Sequence, residues 1–132
     1  MKVRIARVLL EQIMSEAAAE PNEVCGLLLG EPGRIDAIRP AANVAPDAAR
    51  HFELDPAALI AAHRAARAGG ARIVGHYHSH PGGVPVPSVT DAACAVADGS
   101  LWLIVGGGAA RLWVSAGEHE NARFVEASLV IM

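Results

Sequence analysis

An α/β fold, a mixed β-sheet flanked by helices, is what three observations predict for this chain. Apolar residues make up 52% of its 132 residues, enough for one domain spanning 1–132 around one core. Segments with apolar residues at helical spacing alternate with short apolar runs. Several of those runs are joined directly by turn residues, as hairpins are.

Each element has a local signal. Ile5, Val8, Leu9, Ile13 and Met14 recur at helical spacing, with Arg4, Arg7, Glu11 and Glu16 elsewhere. This predicts an amphipathic helix over 5–20 that ends before Pro21. The run from Glu23 to Gly30 is short, apolar and bounded by turn residues, which suits a buried strand. Glu31-Pro32-Gly33 reads as a hairpin turn, and Arg34–Arg39 as the returning strand. Residues 40–50, rich in Pro and Ala, predict a loop, and Phe52–Leu54 a short strand. Asp55 is placed to cap a helix that begins at Pro56, runs through Ala57–Ala68 and stops at Gly69-Gly70. Ala71–His78 is the next strand, and 81–87, with its prolines and glycines, a loop. Ser88 or Thr90 caps a third helix over Asp91–Asp98. Leu101–Val105 and Arg111–Ser115 form a hairpin about the glycines at 106–108, and Phe124–Ile131 closes the chain as a strand.

Composition excludes several classes. A net charge of −3, with no cluster of Lys and Arg larger than a pair, gives no footprint for nucleic acid. Cys25 and Cys94 lack CxxC spacing, which argues against a disulfide framework and for a reducing, cytoplasmic setting. Arg7 and Glu11 interrupt the N-terminal apolar run, so it does not read as a signal peptide. No stretch approaches the ~18 uninterrupted apolar residues of a membrane span.

The chemistry concentrates in His78-Ser79-His80-Pro81, Ser88 and Asp91. Residues i and i+2 of a strand share a face and lie roughly 6–7 Å apart, so two imidazoles there can converge on one cation. A carboxylate from the next element adds a third ligand and leaves a fourth position open, the pattern of a catalytic zinc site. His76 shares the strand face but would lie roughly 13 Å from His80, too far to join them, and is assigned to the cleft lining or the sheet. Ser88 and Asp91 each also fit a helix cap. Glu23 sits just before a buried strand, where a carboxylate is costly without a partner, unless it is a solvated strand end. Cys25 reads as a small buried strand residue rather than a nucleophile. The Pro-Cys-x-x-Cys ligands of a zinc deaminase are missing.

Glu23-Val-Cys-Gly-Leu-Leu-Leu-Gly, Gly75-His-Tyr-His-Ser-His-Pro81 and Ser88-Val-Thr-Asp91 together resemble the JAMM (MPN+) metalloprotease family. The family motif is a distant glutamate, His-x-His, seven residues, Ser, two residues and Asp, and all five positions are filled here. The resemblance also takes in Phe52–Pro56 and the helix after it. It implies a mixed sheet between helices similar to cytidine deaminases. It further implies Zn²⁺ on His78, His80 and Asp91, Glu23 as general base, and Ser88 as hydrogen-bond donor to the water or the oxyanion. The reaction implied is hydrolysis of an amide or isopeptide bond without a covalent intermediate. Non-catalytic MPN-type interaction modules typically lack the motif residues, and the complete set here argues for an enzyme.

The chain has little room for the inserted segments that grip ubiquitin, and it looks like the small stand-alone prokaryotic members. Those are associated with ubiquitin-like sulfur-carrier proteins ending in Gly-Gly. The expected substrate is therefore a bond following such a tail. The tail is expected to pair with a strand edge, with Gly82-Gly83-Val84-Pro85 forming one wall of a narrow channel that favours glycine.

Overall fold

The chain opens with a strand, not a helix. In the computed structural model, which describes residues 1–117 and 123–132, β1 (Lys2–Ile5) precedes α1 (Arg7–Ala18). Val3 and Ile5 are fully buried while Lys2 and Arg4 are exposed, a two-residue period that runs up to the helix predicted over 5–20 and takes Ile5 from it. Long-range pairing decides the matter. Ile5 lies beside Ile35 on one side and Ile131 on the other, partners that no local window contains.

The other elements follow in the order β2 (Cys25–Glu31), β3 (Arg34–Ala41), α2 (Pro56–Arg67), β4 (Arg72–Ser79), α3 (Val89–Cys94), β5 (Leu101–Gly106), β6 (Ala109–Ala116) and β7 (Arg123–Ile131). Asp55 caps α2 by accepting the Ala57 amide at 3.1 Å, with Pro56 in the first turn. Ser88 caps α3, which is shorter than the predicted 91–98. Phe52–Leu54 forms no strand: Leu54 makes one isolated bridge to Asn43.

The sheet is mixed, in keeping with the predicted α/β class, but it closes on itself. Its order is β1-β3-β2-β4-β5-β6-β7, and β7 pairs back onto β1. β1 runs parallel to β3 and β7, and β4 parallel to β5, while the remaining pairs are antiparallel. Successive residues of β2 serve opposite faces. Leu28 joins Val3, Ile5, Ile35, Tyr77 and Leu103 in the main cluster, against which Ile13 of α1 packs. Leu27 and Leu29 meet Ala62 of α2 instead. The two longer helices thus cover opposite faces, and a strand buried on both sides reads as an unbroken apolar run. Each fully buried large side chain contributes roughly 1.5–3 kcal/mol.

Topology also places the chemistry. β4 and β5 are parallel and joined through α3, and ligands of such sheets gather outside the carboxyl ends of parallel strands. β2 runs antiparallel to β4 with Cys25 opposite His78, so the residues just before β2 reach the same end. Ser79 fastens the two. Its amide donates to the Val24 carbonyl at 3.0 Å, and its hydroxyl accepts the Val24 amide at 2.9 Å. Among the described residues no helix is long and apolar enough to cross a membrane.

Candidate metal centre

His78 ends on the outer face of β4 and is fully buried, His80 lies one residue beyond the strand, and Asp91 sits in the first turn of α3. Their ligand atoms converge. His78 Nε2 and His80 Nε2 are 3.1 Å apart, and Asp91 Oδ2 lies 3.2 Å from the first and 3.1 Å from the second. Ligands bonded at about 2.0–2.1 Å to a tetrahedral centre stand about 3.3 Å apart, so this triangle has the dimensions of one face of such a site.

Hydrogen bonding turns the rings the same way. His80 Nδ1 donates to the Val84 carbonyl at 2.9 Å, which leaves the Nε2 of a neutral ring as a lone pair facing His78 and Asp91. The chain under that ring is tightly seated. The His80 amide donates to Val105 O, and a Cβ at Gly106 would collide with the Gly83 carbonyl. His78 Nδ1 is buried without a partner, and its ring is held by packing instead. Phe52 stacks on it at 4.4 Å and 22°, His76 stacks on the same ring at 5.6 Å, and Trp102 meets it edge-on at 5.9 Å.

Two carboxylates reach the site and their environments separate them. Burial would raise Asp91, but hydrogen bonds with His78 and His80 and the Ser88 amide outweigh it and hold the group well below the usual carboxylate range. Glu23 is raised to about 7, chiefly by burial, with Asp91 adding to the rise and His80 opposing it. Glu23 is 5% exposed, its Oε1 has no partner, and it offers an oxygen within 4.8 Å of the nitrogens of His78 and His80. Two imidazole nitrogens, a carboxylate at contact distance and a second carboxylate standing off fit a divalent cation of the zinc type.

Ser88 caps α3. Its Oγ accepts the Asp91 amide at 3.0 Å while its own amide donates to Asp91 Oδ2 at 2.9 Å, a reciprocal cap. The cap uses a lone pair, so the hydroxyl hydrogen stays available. Glu23, His80 and Ser88 line one cavity of about 360 Å³ together with Gly83, Val84 and Val86 of the following loop and with Ala49 and Arg50. Pro85 belongs to the same loop and is pinned from behind, its carbonyl accepting the Trp113 indole N–H at 3.1 Å.

One expectation changes. β2 and β4 each have partners on both sides, so the strands at the site offer no open edge for a tail to pair with. His76 is part of the aromatic packing under His78, with burial and the neighbouring His78 pushing it down to about 3. Cys25 is buried, its thiol facing the carbonyls of Ala41 and Ala42 and raised by burial to about 11, so no thiolate is available. Phe52 and Trp102 lie beyond what the spacing of polar residues could find, because their contribution is packing.

The profile of the prokaryotic homologues of the JAB domain matches residues 6–121. The chain is 40% identical to a desampylase of Haloferax volcanii over 90 residues, 67% of this chain and 65% of that protein. It is 34% identical to a probable TtuB-protein conjugate cleaving protease of Thermus thermophilus, over 66% of this chain and 59% of that one. It therefore spans 65% and 59% of the length of these two relatives, less than two thirds of each. A JAB1/MPN domain protein from Archaeoglobus fulgidus shares its fold with a TM-score of 0.59 at 21% identity, over 98% of each chain.

Proposed function

The chain belongs to the prokaryotic JAB (JAMM/MPN+) family, and from that premise we propose that it is a zinc-dependent hydrolase of ubiquitin-like protein conjugates. Its substrate on this reading is the amide or isopeptide bond that follows the Gly-Gly tail of a ubiquitin-like or sulfur-carrier protein. The observation that carries the reading is the triangle of His78, His80 and Asp91 beside a buried, unpartnered Glu23 oxygen. Relatives named for cleaving such conjugates support the substrate class.

His78, His80 and Asp91 would hold the zinc, and the ion supplies Lewis acidity that brings the proton loss of water into the neutral range. Glu23 takes that proton at its unpartnered oxygen and delivers it to the departing amine. A buried carboxylate whose Oε1 has no protein partner is free both to take a proton and to return it. The Ser88 hydroxyl, its lone pair engaged in the helix cap, donates to the oxygen on which charge develops. Val84 and Val86 line the groove beside it.

The test is incubation with carrier proteins extended beyond Gly-Gly, read by mass spectrometry with and without chelator, alongside elemental analysis. One zinc per chain and chelator-sensitive cleavage after the second glycine are expected. Metal-free native protein, or cleavage that survives the chelator, would refute the reading.

A further inference from the structure

Glu23 and Phe52 are far apart in sequence, yet one side chain between them organises the backbone that carries both. Asn43 Nδ2 donates to the carbonyls of Glu23 at 2.9 Å, His51 at 3.1 Å and Ala48 at 3.3 Å. Its Oδ1 accepts the amides of Ala45 at 3.0 Å and Glu53 at 3.1 Å. Only one orientation of the amide serves this set, because three acceptors face the nitrogen and two donors face the oxygen. The loop it fills is closed at its base by Val44 N–H to Glu53 O and Asp55 N–H to Ala42 O.

Resting on the reading that Glu23 is the base and His78 a ligand, we propose that Asn43 is a positioning residue that sets both at once. Toward Glu23 it grips the carbonyl directly, while Ala48, another of its partners, accepts the Glu23 amide at 2.8 Å. Glu23 is thereby held by its backbone, leaving its Oε1 without a protein hydrogen bond, as a base requires. Toward the metal it anchors His51 and Glu53, the residues on either side of Phe52, whose ring lies flat on His78. Phe52 thus takes the part that a hydrogen-bond acceptor takes at other metal-bound histidines, fixing the ring plane by stacking where Nδ1 has no partner.

The experiment compares native protein with Asn43→Ala, Asn43→Ser, Phe52→Leu and Glu23→Gln. Steady-state cleavage is measured at saturating zinc, zinc affinity by competition with a chromophoric chelator, and Tm as a control for folding. Asn43→Ala is expected to lower kcat at least tenfold with KM within about threefold, since misplacing a reacting group by about 1 Å can cost 10²-fold. Phe52→Leu is expected to raise the zinc dissociation constant at least tenfold, in the range for removing a group that orients a ligand. A zinc-saturated Asn43→Ala with kcat within twofold of native, assayed well below its Tm, overturns the proposal. So does Phe52→Leu with native zinc affinity. Should Asn43→Ala fail to fold, Asn43→Ser is judged by the same split of kcat against KM. Glu23→Gln separates the two levels: full activity there refutes the base assignment itself, whereas an inactive Glu23→Gln beside a fully active Asn43 variant refutes only the positioning role.

Discussion

The two faces of β4 do opposite things with the same strand. Gly75, Tyr77 and Ser79 alternate with His76 and His78, and the first set is fully satisfied. Tyr77 is buried in the main apolar cluster with its hydroxyl donating to Glu16, and Ser79 makes two bonds to Val24. On the other face His76 Nε2 and His78 Nδ1 are buried without partners, as is Glu23 Oε1 across the site. These are all the buried, unpartnered side-chain atoms among the described residues, and they belong to the metal-binding histidine, the ring stacked on it and the carboxylate beside it. Buried polar atoms are ordinarily paired, so their concentration marks where stability gives way to chemistry.

The sharpest way to test that contrast is to alter one face and look for an effect on the other. Glu23→Gln keeps size but cannot accept a proton, so single-turnover cleavage should fall by about 10³-fold or more with zinc content unchanged. Retained cleavage would mean that the outer face is not organised around a base. On the inner face, Leu103→Ala should cost roughly 2–5 kcal/mol in denaturant unfolding while zinc stoichiometry stays native. Loss of zinc in the folded variant would show the faces to be mechanically coupled. Ser88→Ala should lower kcat by about 10²–10³-fold with little change in KM, and should also lose about 1 kcal/mol of helix capping. A variant with lower Tm but native kcat would reduce Ser88 to its cap.

The smallest effect concerns pH. Glu23 is raised from 4.5 to about 7 in the folded protein, so whatever stability it contributes is present below about 4.5 and lost as pH rises through 7. In chelator-treated protein, Glu23→Gln should therefore be no more stable than native at pH 4.5. Its advantage should grow to roughly 1–3 kcal/mol by pH 7.5. Equal Tm values across that range would place Glu23 in a better solvated setting than its burial implies.

What the sequence disclosed follows the same division. Asp55-Pro56 announces α2 because a cap and a proline act locally, and the glycine turns announce the hairpins β2–β3 and β5–β6 for the same reason. β1 was hidden because four residues hold no periodicity longer than one turn, and its partners arrive at 34–35 and 128–131. Closure of the sheet depends on those same contacts. At the site, His78, His80, Ser88 and Asp91 were legible as a spacing, since strand and cap geometry translate spacing into direction. Asn43 and Phe52 were not, because an amide inside a loop and a ring on an imidazole leave no pattern in composition.

The loop from Pro81 to Pro87 has little freedom left. Three prolines restrict it, His80 Nδ1 ties Val84, and the Trp113 indole ties Pro85. Ordering an interface loop on binding costs affinity, and here that entropy has already been surrendered on folding. A peptide entering the cavity lined by this loop meets a wall already in place. Association should then run as a single concentration-dependent phase, without the slower relaxation that marks a closing lid.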